Sequence, residues 1–405
     1  MSAESNLAKS FVPRISLGAD QPQEVAALHV SLSAPDITQA EIDAVTAVLR
    51  SPRLSFGAEL TAFEAALADY HGVPHAVCVS SGTAGLHLAL VTLDIGAGDE
   101  VIVPSFAFVA VANVVLQVRA TPVFAEIDPI RLNLDPKAVE RAVTPRTRAL
   151  LVVHTFGVPA AMDALQAIAR RHHLVVIEDS CEAIGAEYQG RRAGSFGDLA
   201  VLGFYPNKQI TTGEGGAVLA RNPAHADRLR ALRNQGRVAA KPSPESLSVP
   251  DWLDQAEAGY NYRLSDLACA LGRVQLSRID EILALRRAAA ERYHNLLQNI
   301  PGLEVPPLTV PNGTISWFVY VVRLPEEADR DGIQTELSRH GIATGRYFPP
   351  IHRQPFWSTH PASQTADLPV TERVARRTLA LPFFNRITSE QQVEVAEALR
   401  KALGR

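Results

Sequence analysis

Cysteine is scarce in this sequence, which has three in 405 residues. Because Cys78, Cys181 and Cys269 are too few and too scattered for a disulfide framework or a zinc site, we expect no disulfides and no bound metal. Such cysteine usage is typical of a reducing compartment, so a cytoplasmic location follows as a prediction.

Long apolar runs and strong net charge are also missing. The longest apolar run, Phe106 to Val118, is interrupted by Asn113 and Gln117 and is too short to span a bilayer, and the N-terminus lacks the pattern of a signal peptide. A formal net charge of −4 gives no electrostatic basis for binding nucleic acid or an anionic membrane. A hydrophobic share of 47% and a charged share of 20% are instead typical of a soluble globular protein.

From residue 35 onward, helical and strand patterns alternate along the chain. The predicted helices are 38–49, 61–71, 84–93, 107–116, 136–142 and 162–172, and the predicted strands are 76–79, 100–103, 122–125, 149–154, 174–178, 199–204 and 216–220. Strands that alternate with helices at this spacing predict a mostly parallel sheet covered by helices on both faces, and therefore an α/β fold.

The length of the chain and the breaks in this pattern predict its domains. Residues 1–34 have no clear period and are interpreted as an N-terminal arm, and residues 35–265 as a large domain. Within the latter, the proline- and serine-rich stretch 236–258 predicts an exposed loop. Residues 266–405 are expected to form a long linking helix, Asp266 to about Gln298, and a small C-terminal α+β domain.

The segment from Gly203 to Gly216 places one lysine, Lys208, between an apolar strand and a glycine-rich turn. Aromatic and apolar neighbours can keep such a lysine from water, which favours the neutral, nucleophilic amine that forms an imine. For this segment alone, an ordinary surface lysine beside a turn is the more common explanation. The interpretation therefore depends on what the rest of the chain supplies.

Two other segments supply partners for Lys208. Residues 81–84, Ser-Gly-Thr-Ala, lie between a strand and a helix, where free N–H groups and close approach at Gly82 would hold a phosphate, although an ordinary helix cap explains them equally well. No Gly-x-Gly-x-x-Gly follows a strand and no Walker lysine is present, so neither a dinucleotide nor a nucleoside triphosphate is indicated. Asp179 follows an apolar strand, where it either keeps a pyridine nitrogen protonated or ends the strand in a turn. A phosphate site, an acid and a lysine together are the three anchors of pyridoxal 5′-phosphate.

Several short segments, spread in order over nearly the whole chain, form a longer pattern. They lie at 56–57, 63–64, 80–86 (Ser-Ser-Gly-Thr-Ala-Gly-Leu), 98–104, 178–179, 194–198, 204–216, 259–264, 341–352 and 379–382. In the residues of these segments and in their order, the chain resembles the sugar aminotransferases called the DegT/DnrJ/EryC1/StrS group, within the fold-type I aspartate aminotransferase superfamily. The resemblance is specific for the family but not for a substrate. It implies a fold-type I enzyme that depends on pyridoxal 5′-phosphate.

The resemblance also assigns roles to single residues. It implies that Lys208 forms the internal aldimine and that Asp179 pairs with the pyridinium nitrogen. Thr83 and Ala84 would bind the phosphate through backbone and hydroxyl groups. Phe108 falls where the family places an aromatic ring stacked on the cofactor, with Phe106 as its nearest competitor.

A shared active site is a further implication of the resemblance. Asn261, in Gly-Tyr-Asn-Tyr-Arg, matches the residue that reaches the phosphate of the neighbouring subunit's cofactor, so the active unit is expected to be a homodimer. Three positions depart from the common pattern. Glu182 stands near the cofactor's phenolic oxygen where many members have glutamine or histidine, Gly203 replaces a serine that donates to the phosphate, and Ala107 replaces a threonine.

The expected reaction has two halves. An amino acid, by resemblance glutamate or glutamine, gives its amino group to the cofactor, and freed Lys208 moves the proton as general base and acid. A keto sugar, in the family most often nucleotide-linked, then accepts the amine. Sugar and nucleotide contacts are expected from the loop 236–258 and from Tyr347 and His352.

Two alternatives remain open at this point. A pyridoxal phosphate dehydratase acting on a keto sugar would share the fold, but dehydratases of this group typically replace the imine lysine with histidine. A non-catalytic binding or regulatory protein would keep the fold without needing the amine of Lys208. Both alternatives are disfavoured by the intact set of lysine, acid and phosphate loop.

Overall fold

A seven-stranded sheet forms the centre of the computed structural model, which describes residues 29–237 and 254–404. The strands in chain order are β1 (His75–Val79), β2 (Glu100–Pro104), β3 (Thr121–Ala125), β4 (Thr147–Val153), β5 (Val175–Asp179), β6 (Glu187–Tyr188), β7 (Arg191–Arg192), β8 (Leu199–Gly203), β9 (Gly216–Ala220), β10 (Gly313–Thr314), β11 (Tyr320–Arg323) and β12 (Thr378–Leu381). The central sheet has the order β1-β9-β8-β5-β4-β2-β3.

Most neighbours in the central sheet run parallel. Strands β3, β2, β4, β5 and β8 form a continuous parallel set, which confirms the predicted fold class. Strand β9 is antiparallel to both β8 and β1, so the last two strands of the large sheet lie inside it rather than at an edge. The connection 204–215 between β8 and β9 carries Lys208, and this pairing holds both ends of that connection in neighbouring strands.

The helices flank this sheet on both faces. In chain order they are α1 (Gln39–Leu49), α2 (Ala58–His71), α3 (Gly82–Thr92), α4 (Ala110–Gln117), α5 (Pro136–Ala142), α6 (Met162–His172), α7 (Pro223–Leu232), α8 (Asp266–Ser277), α9 (Ile279–Leu297), α10 (Arg330–Arg339), α11 (Pro355–Ser358), α12 (Pro361–Gln364), α13 (Pro369–Arg377) and α14 (Ser389–Ala402). Helix α5 has its predicted bounds because Asp135 caps it and proline occupies its first position.

Two helix predictions need correction. The helix predicted at 107–116 begins at Ala110, so Phe108 lies in the connection that precedes it. The long helix predicted from Asp266 to Gln298 is two helices, because α8 ends at Ser277 and α9 begins at Ile279. Between them Arg278 turns its guanidinium to carboxylates at the start of the large domain, a long-range contact that no local pattern reveals.

The buried residues form several cores that α9 connects. Near its start, Ile279 and Ile282 pack with α2, α8 and one face of the central sheet. Near its end, Tyr293 and Leu297 pack in a second core with β11, β12, α10 and α14. This arrangement suits a small C-terminal unit, and the boundary proposed at residue 265 stays a prediction.

Some predictions fall wholly or partly outside the described residues. The arm 1–34 is described only from His29, and there Val30 makes a bridge to Ile342. The loop 236–258 is described only at its two ends. No described helix is long and apolar enough to cross a membrane. Within residues 29–237 and 254–404, no group of three or more His, Cys, Asp or Glu side chains could hold a metal ion.

Candidate active site

A cavity of about 480 Å³ lies where β4, β5 and β8 reach their carboxyl ends. This is the edge at which ligands bind in parallel α/β sheets. It is lined by the predicted residues Gly82, Thr83, Phe108, Asp179, Glu182, Lys208 and Tyr347, together with Ser81, Leu86, Ala110, Val153, Cys181, Gly203, Phe204, Tyr205, Asn207, Glu214, Gly215, Phe318 and Phe348. The structure therefore brings most of the predicted site residues to one place.

Lys208 lies in the connection between β8 and β9, and its amine is held between two side chains. Its backbone N–H donates to the carbonyl of Tyr205. The Nζ atom lies 3.8 Å from the centre of the Phe318 ring and 3.5 Å from Glu182 Oε1. The lysine side chain is 14% exposed, so its amine is largely shielded from water but still reaches the cavity.

Glu182 is a buried carboxyl at the base of the cavity. Its Oε2 accepts a hydrogen bond of 2.9 Å from the backbone N–H of Phe156, which fixes the side chain. Burial raises the pKa of this carboxyl above its ordinary value, although the nearby Lys208 ammonium acts in the opposite direction. The group therefore accepts a proton more readily than an ordinary glutamate.

Asp179 is the last residue of β5 and faces the cavity. Its Oδ1 accepts from the backbone N–H of Cys181 at 3.1 Å. Glu178 points to the opposite face of the strand, as alternation requires, and accepts from His154 and from the backbone N–H groups of the turn 194–197. Consequently Asp179, and not Glu178, is the acid available to a ligand.

The N-terminus of α3 supplies the polar end of the cavity. Ser81 caps the helix by accepting from the backbone N–H of Ala84 at 3.0 Å. A Cβ on Gly82 would lie 2.7 Å from Cys181 Sγ, so only glycine fits where the helix meets the end of β5. Gly82 and Thr83 line the cavity, whereas Ala84 does not and its N–H is already bonded.

Two neighbouring phenylalanines have opposite environments. Phe108 lines the cavity and is 61% exposed, which leaves one of its faces open to a ligand ring. Phe106 is fully buried and makes edge contacts with Phe156 and Phe348. Phe108 therefore lines the cavity and Phe106 belongs to the core, and the stacking role of Phe108 stays a prediction.

Besides Ala84, two further predicted residues lie outside this cavity. His352 is 2% exposed, its Nδ1 lies 2.7 Å from Ser105 Oγ and its Nε2 3.1 Å from Glu372, so it anchors the segment after β2 rather than facing a substrate. It is not among the residues that line the cavity. Asn261 is exposed and pairs through its backbone with Asn234, away from the cavity of its own chain.

Three of the lining residues that were not predicted from the sequence bear on the chemistry of the site. Asn207 directly precedes Lys208, and its Oδ1 is buried with no hydrogen-bond partner among the described residues. Cys181 lies two residues after Asp179, so both could have been found from their neighbours. Phe318 could not, because its contact with Lys208 joins parts of the chain that are far apart in sequence.

The comparison that decides the family is a match over most of the chain. Residues 35–400 match the profile of the DegT/DnrJ/EryC1/StrS aminotransferase family. The chain belongs to this family. The predicted family and the aminotransferase class are therefore confirmed.

Individual relatives agree with this assignment. GDP-perosamine synthase of Caulobacter vibrioides is 38% identical, over 93% of this chain and 98% of its own length. dTDP-3-amino-3,4,6-trideoxy-alpha-D-glucose transaminase of Streptomyces venezuelae is 40% identical, over 90% of this chain and 92% of its own length. The crystal structure of S. venezuelae DesV in complex with a ketimine intermediate matches with a TM-score of 0.82 and 38% identity, over 93% of this chain and 99% of that one.

Proposed function

We propose that this chain transfers an amino group from an amino acid to a nucleotide-linked keto sugar, using pyridoxal 5′-phosphate bound in the cavity at Lys208. The observation that carries the proposal is that Lys208, Asp179 and the N-terminus of α3 meet in one cavity. The predicted cofactor is confirmed at the level of the family. The sugar class is supported by relatives that are named for GDP- and dTDP-linked sugars.

The residues present suit this cofactor at each of its functional groups. An amine, Lys208, and an acid, Asp179, line the same cavity as the start of α3, whose N–H groups attract anions. Phe108 offers an open aromatic face, and the unpartnered Oδ1 of Asn207 is a further polar atom. When bound, the cofactor supplies an electron-withdrawing ring.

Each residue then has a separate task. Lys208 Nζ would hold the cofactor covalently and, once free, would carry the proton of the transfer. Asp179 would keep the ring nitrogen protonated, and Thr83 would hold the phosphate together with the α3 backbone. Phe108 would cover the ring, a contact worth about 0.5–1.5 kcal/mol beyond burial, which orients the ring without driving the reaction.

The acceptor would bind on the open side of the cavity. Tyr347 lines this cavity beside Phe318, with the two rings stacked at 6.4 Å between centroids. Tyr347 is therefore retained as a proposed substrate contact, and His352 is not. Glutamate or glutamine as the amino donor rests on the family resemblance.

We also propose a homodimer with shared active sites. Asn261 is exposed and does not line the cavity of its own chain, which suits a residue that reaches a neighbouring subunit. A cytoplasmic location stays a prediction from the sequence.

The absorption spectrum of the purified protein tests the proposal. We expect a visible band from the lysine-bound cofactor in the wild type and in Lys137→Ala, whose lysine is exposed on α5, and none in Lys208→Ala. After incubation with glutamate, GDP- and dTDP-linked keto sugars are added one at a time to find which one restores the band. A band that survives in Lys208→Ala would sink the assignment. Formation of ammonia or a deoxy sugar without an aminated sugar would instead indicate a dehydratase.

A further inference from the structure

Glu182 and Lys208 form an ion pair in the wall of the cavity, and the pair suggests a second proton-handling residue. We infer that Glu182 accepts the proton of Lys208 when the lysine becomes the neutral amine that attacks the cofactor. This inference rests on the proposed function, because it concerns the same lysine and the same cavity. By the family resemblance, position 182 is usually glutamine or histidine. The inference gives the glutamate found here a task that a glutamine cannot perform.

The geometry leaves one carboxyl oxygen free for this exchange. Glu182 Oε2 is held by the N–H of Phe156 at 2.9 Å, while Oε1 lies 3.5 Å from Lys208 Nζ. The Gln209 amide donates to the backbone carbonyl of Glu182 at 2.6 Å, which fixes the residue further. A short approach of the lysine side chain would bring Nζ and Oε1 into hydrogen-bond contact, since the far end of lysine is flexible.

The surroundings favour the neutral form of the pair. Glu182 is 6% exposed, and Phe318 covers Lys208 from the other side. A separated pair of charges in a dry site loses much of its hydration, and only good hydrogen bonding compensates for this. Transfer of one proton from nitrogen to oxygen removes both charges at once.

The step balances without any other reactant. The N–H bond of the Lys208 ammonium breaks, its electron pair stays on Nζ, and the proton forms an O–H bond at Glu182 Oε1. The amine is then a nucleophile and the acid is neutral. The reverse transfer returns the proton when the lysine is released.

Four titratable groups face Glu182 from three parts of the chain. Asp179, at the end of β5, adds negative charge and so raises the pKa of Glu182 further. Burial raises the pKa values of the Cys181 thiol and of the Tyr347 phenol, so both stay protonated at neutral pH. Among the described residues, Lys208 is therefore the cation positioned to give Glu182 a proton.

A competing explanation makes Glu182 a fixed counter-ion that merely positions the lysine. The two explanations differ in their pH dependence. Without an internal acceptor, the lysine ammonium must lose its proton to water before it can react. The reaction rate would then rise by about tenfold per pH unit while the ammonium form predominates. With internal transfer, the neutral amine arises from a pH-independent equilibrium.

The test follows attachment of pyridoxal 5′-phosphate to cofactor-free full-length protein by stopped-flow absorbance from pH 6 to pH 8. Wild type is compared with Glu182→Gln and with the control Glu187→Gln, whose carboxyl contacts Arg192 at 3.9 Å on β6 and β7. The rate constant of each variant is divided by that of wild type at the same pH, which cancels titration of the free cofactor. We expect the ratio for Glu182→Gln to rise about tenfold per pH unit and the ratio for Glu187→Gln to stay flat.

Glu182→Ala with added acetate provides a second measurement that does not depend on the glutamine variant. Acetate can enter the space of the missing side chain and accept the proton, so it should restore the rate most strongly at low pH. A ratio for Glu182→Gln that is lowered equally at every pH, with no rescue by acetate, would overturn the inference. A wild type that shows no visible band would instead overturn the proposed function, so the two failures are distinguishable.

Discussion

Cys181 packs against Gly203 at the α3 end of the cavity. A Cβ on Gly203 would lie 3.1 Å from both Sγ and Cβ of Cys181, and a Cβ on Gly82 would lie still closer to the same sulfur. Burial raises the pKa of the Cys181 thiol, so it is a neutral group that fills space here. The serine that the family resemblance implies at position 203 would therefore crowd this cysteine.

The contact between positions 203 and 181 predicts how substitutions at these two positions combine. Gly203→Ser alone should weaken binding of pyridoxal 5′-phosphate and lower the melting temperature, because the new side chain crowds Cys181. Adding Cys181→Ala should restore both, with an interaction free energy of about 1 kcal/mol in a double-mutant cycle. Cofactor titration and thermal unfolding of the four proteins provide the measurement, and strictly additive effects would contradict the coupling.

The sequence predicted the site residues whose chemistry is distinctive in a local pattern. Lys208, Asp179 and Gly82 each follow or precede a recognisable strand, and such positions meet at one sheet edge. His352 could not be placed in this way, because nothing near it in sequence shows that its ring turns towards Ser105. Phe318 was missed for the same reason, since only the folded chain brings it to Lys208.

At the scale of elements, α9 links Lys208 to the aromatic ring of Phe318 that it contacts. The buried Arg286 of α9 donates through Nη1 to the carbonyls of Trp317 and Phe318, at 3.1 and 3.0 Å, and through Nη2 to that of Lys208 at 3.2 Å. One guanidinium therefore holds both sides of the Lys208 and Phe318 contact.

Replacing Arg286 by lysine should weaken the link between Lys208 and Phe318. The single ammonium nitrogen of lysine cannot reach the three carbonyls that the two Nη atoms of arginine contact. We therefore expect a loss of about 2 kcal/mol in stability and slower attachment of the cofactor to Lys208. Arg287→Lys is the matched control, because the neighbouring arginine is exposed on the same helix. Equal behaviour of the two variants in thermal unfolding and cofactor kinetics would count against this role.

The break between α8 and α9 is stabilised by ion pairs with α1 and with the segment that precedes it. Arg278 donates to Glu41 Oε1 at 2.7 Å and to Asp36 Oδ2 at 3.1 Å. Burial alone would raise the pKa of Glu41, but hydrogen bonds from Thr38, Arg278 and Gln275 outweigh it and lower the pKa to about 2. The ionised carboxylate is thus favoured in the folded state.

This lowered pKa predicts a pH-dependent stability. Because the folded-state pKa lies below that of an unfolded glutamate, about 4.3, the contribution is complete above that value and is lost as the pH falls towards 2. Glu41→Gln should cost about 2 kcal/mol between pH 5 and 7, and its difference from wild type should shrink below pH 4. Glu281→Gln, with an exposed carboxylate on the same arginine, should change stability by less than about 1 kcal/mol. Thermal unfolding at pH 7, 5, 4 and 3 measures both, and a pH-independent difference would contradict the assignment.

At the scale of the whole molecule, alternation of strands and helices was enough to predict the α/β class. It could not predict that β9 would insert antiparallel between β8 and β1, since strand order depends on pairings between distant segments. That insertion matters for function, because it fixes both ends of the Lys208 connection inside the sheet.

The proposed sharing of active sites between two subunits predicts how hybrid dimers behave. If Asn261 acts on the neighbouring cofactor, a hybrid of Lys208→Ala and Asn261→Ala subunits contains one site with both residues intact. Purified through two different tags, it should have about half the wild-type activity, whereas each parent homodimer is inactive or weak.

The reciprocal hybrid is the matched control for that experiment. It pairs a wild-type subunit with one carrying both substitutions, so the wild-type Lys208 faces the partner's altered position 261 and the hybrid should be nearly inactive. If Asn261 served its own chain, the results would be reversed: the first hybrid would be weak and the second would retain about half the activity. Because both hybrids contain the same two substitutions, a difference between them reports only which subunit supplies Asn261.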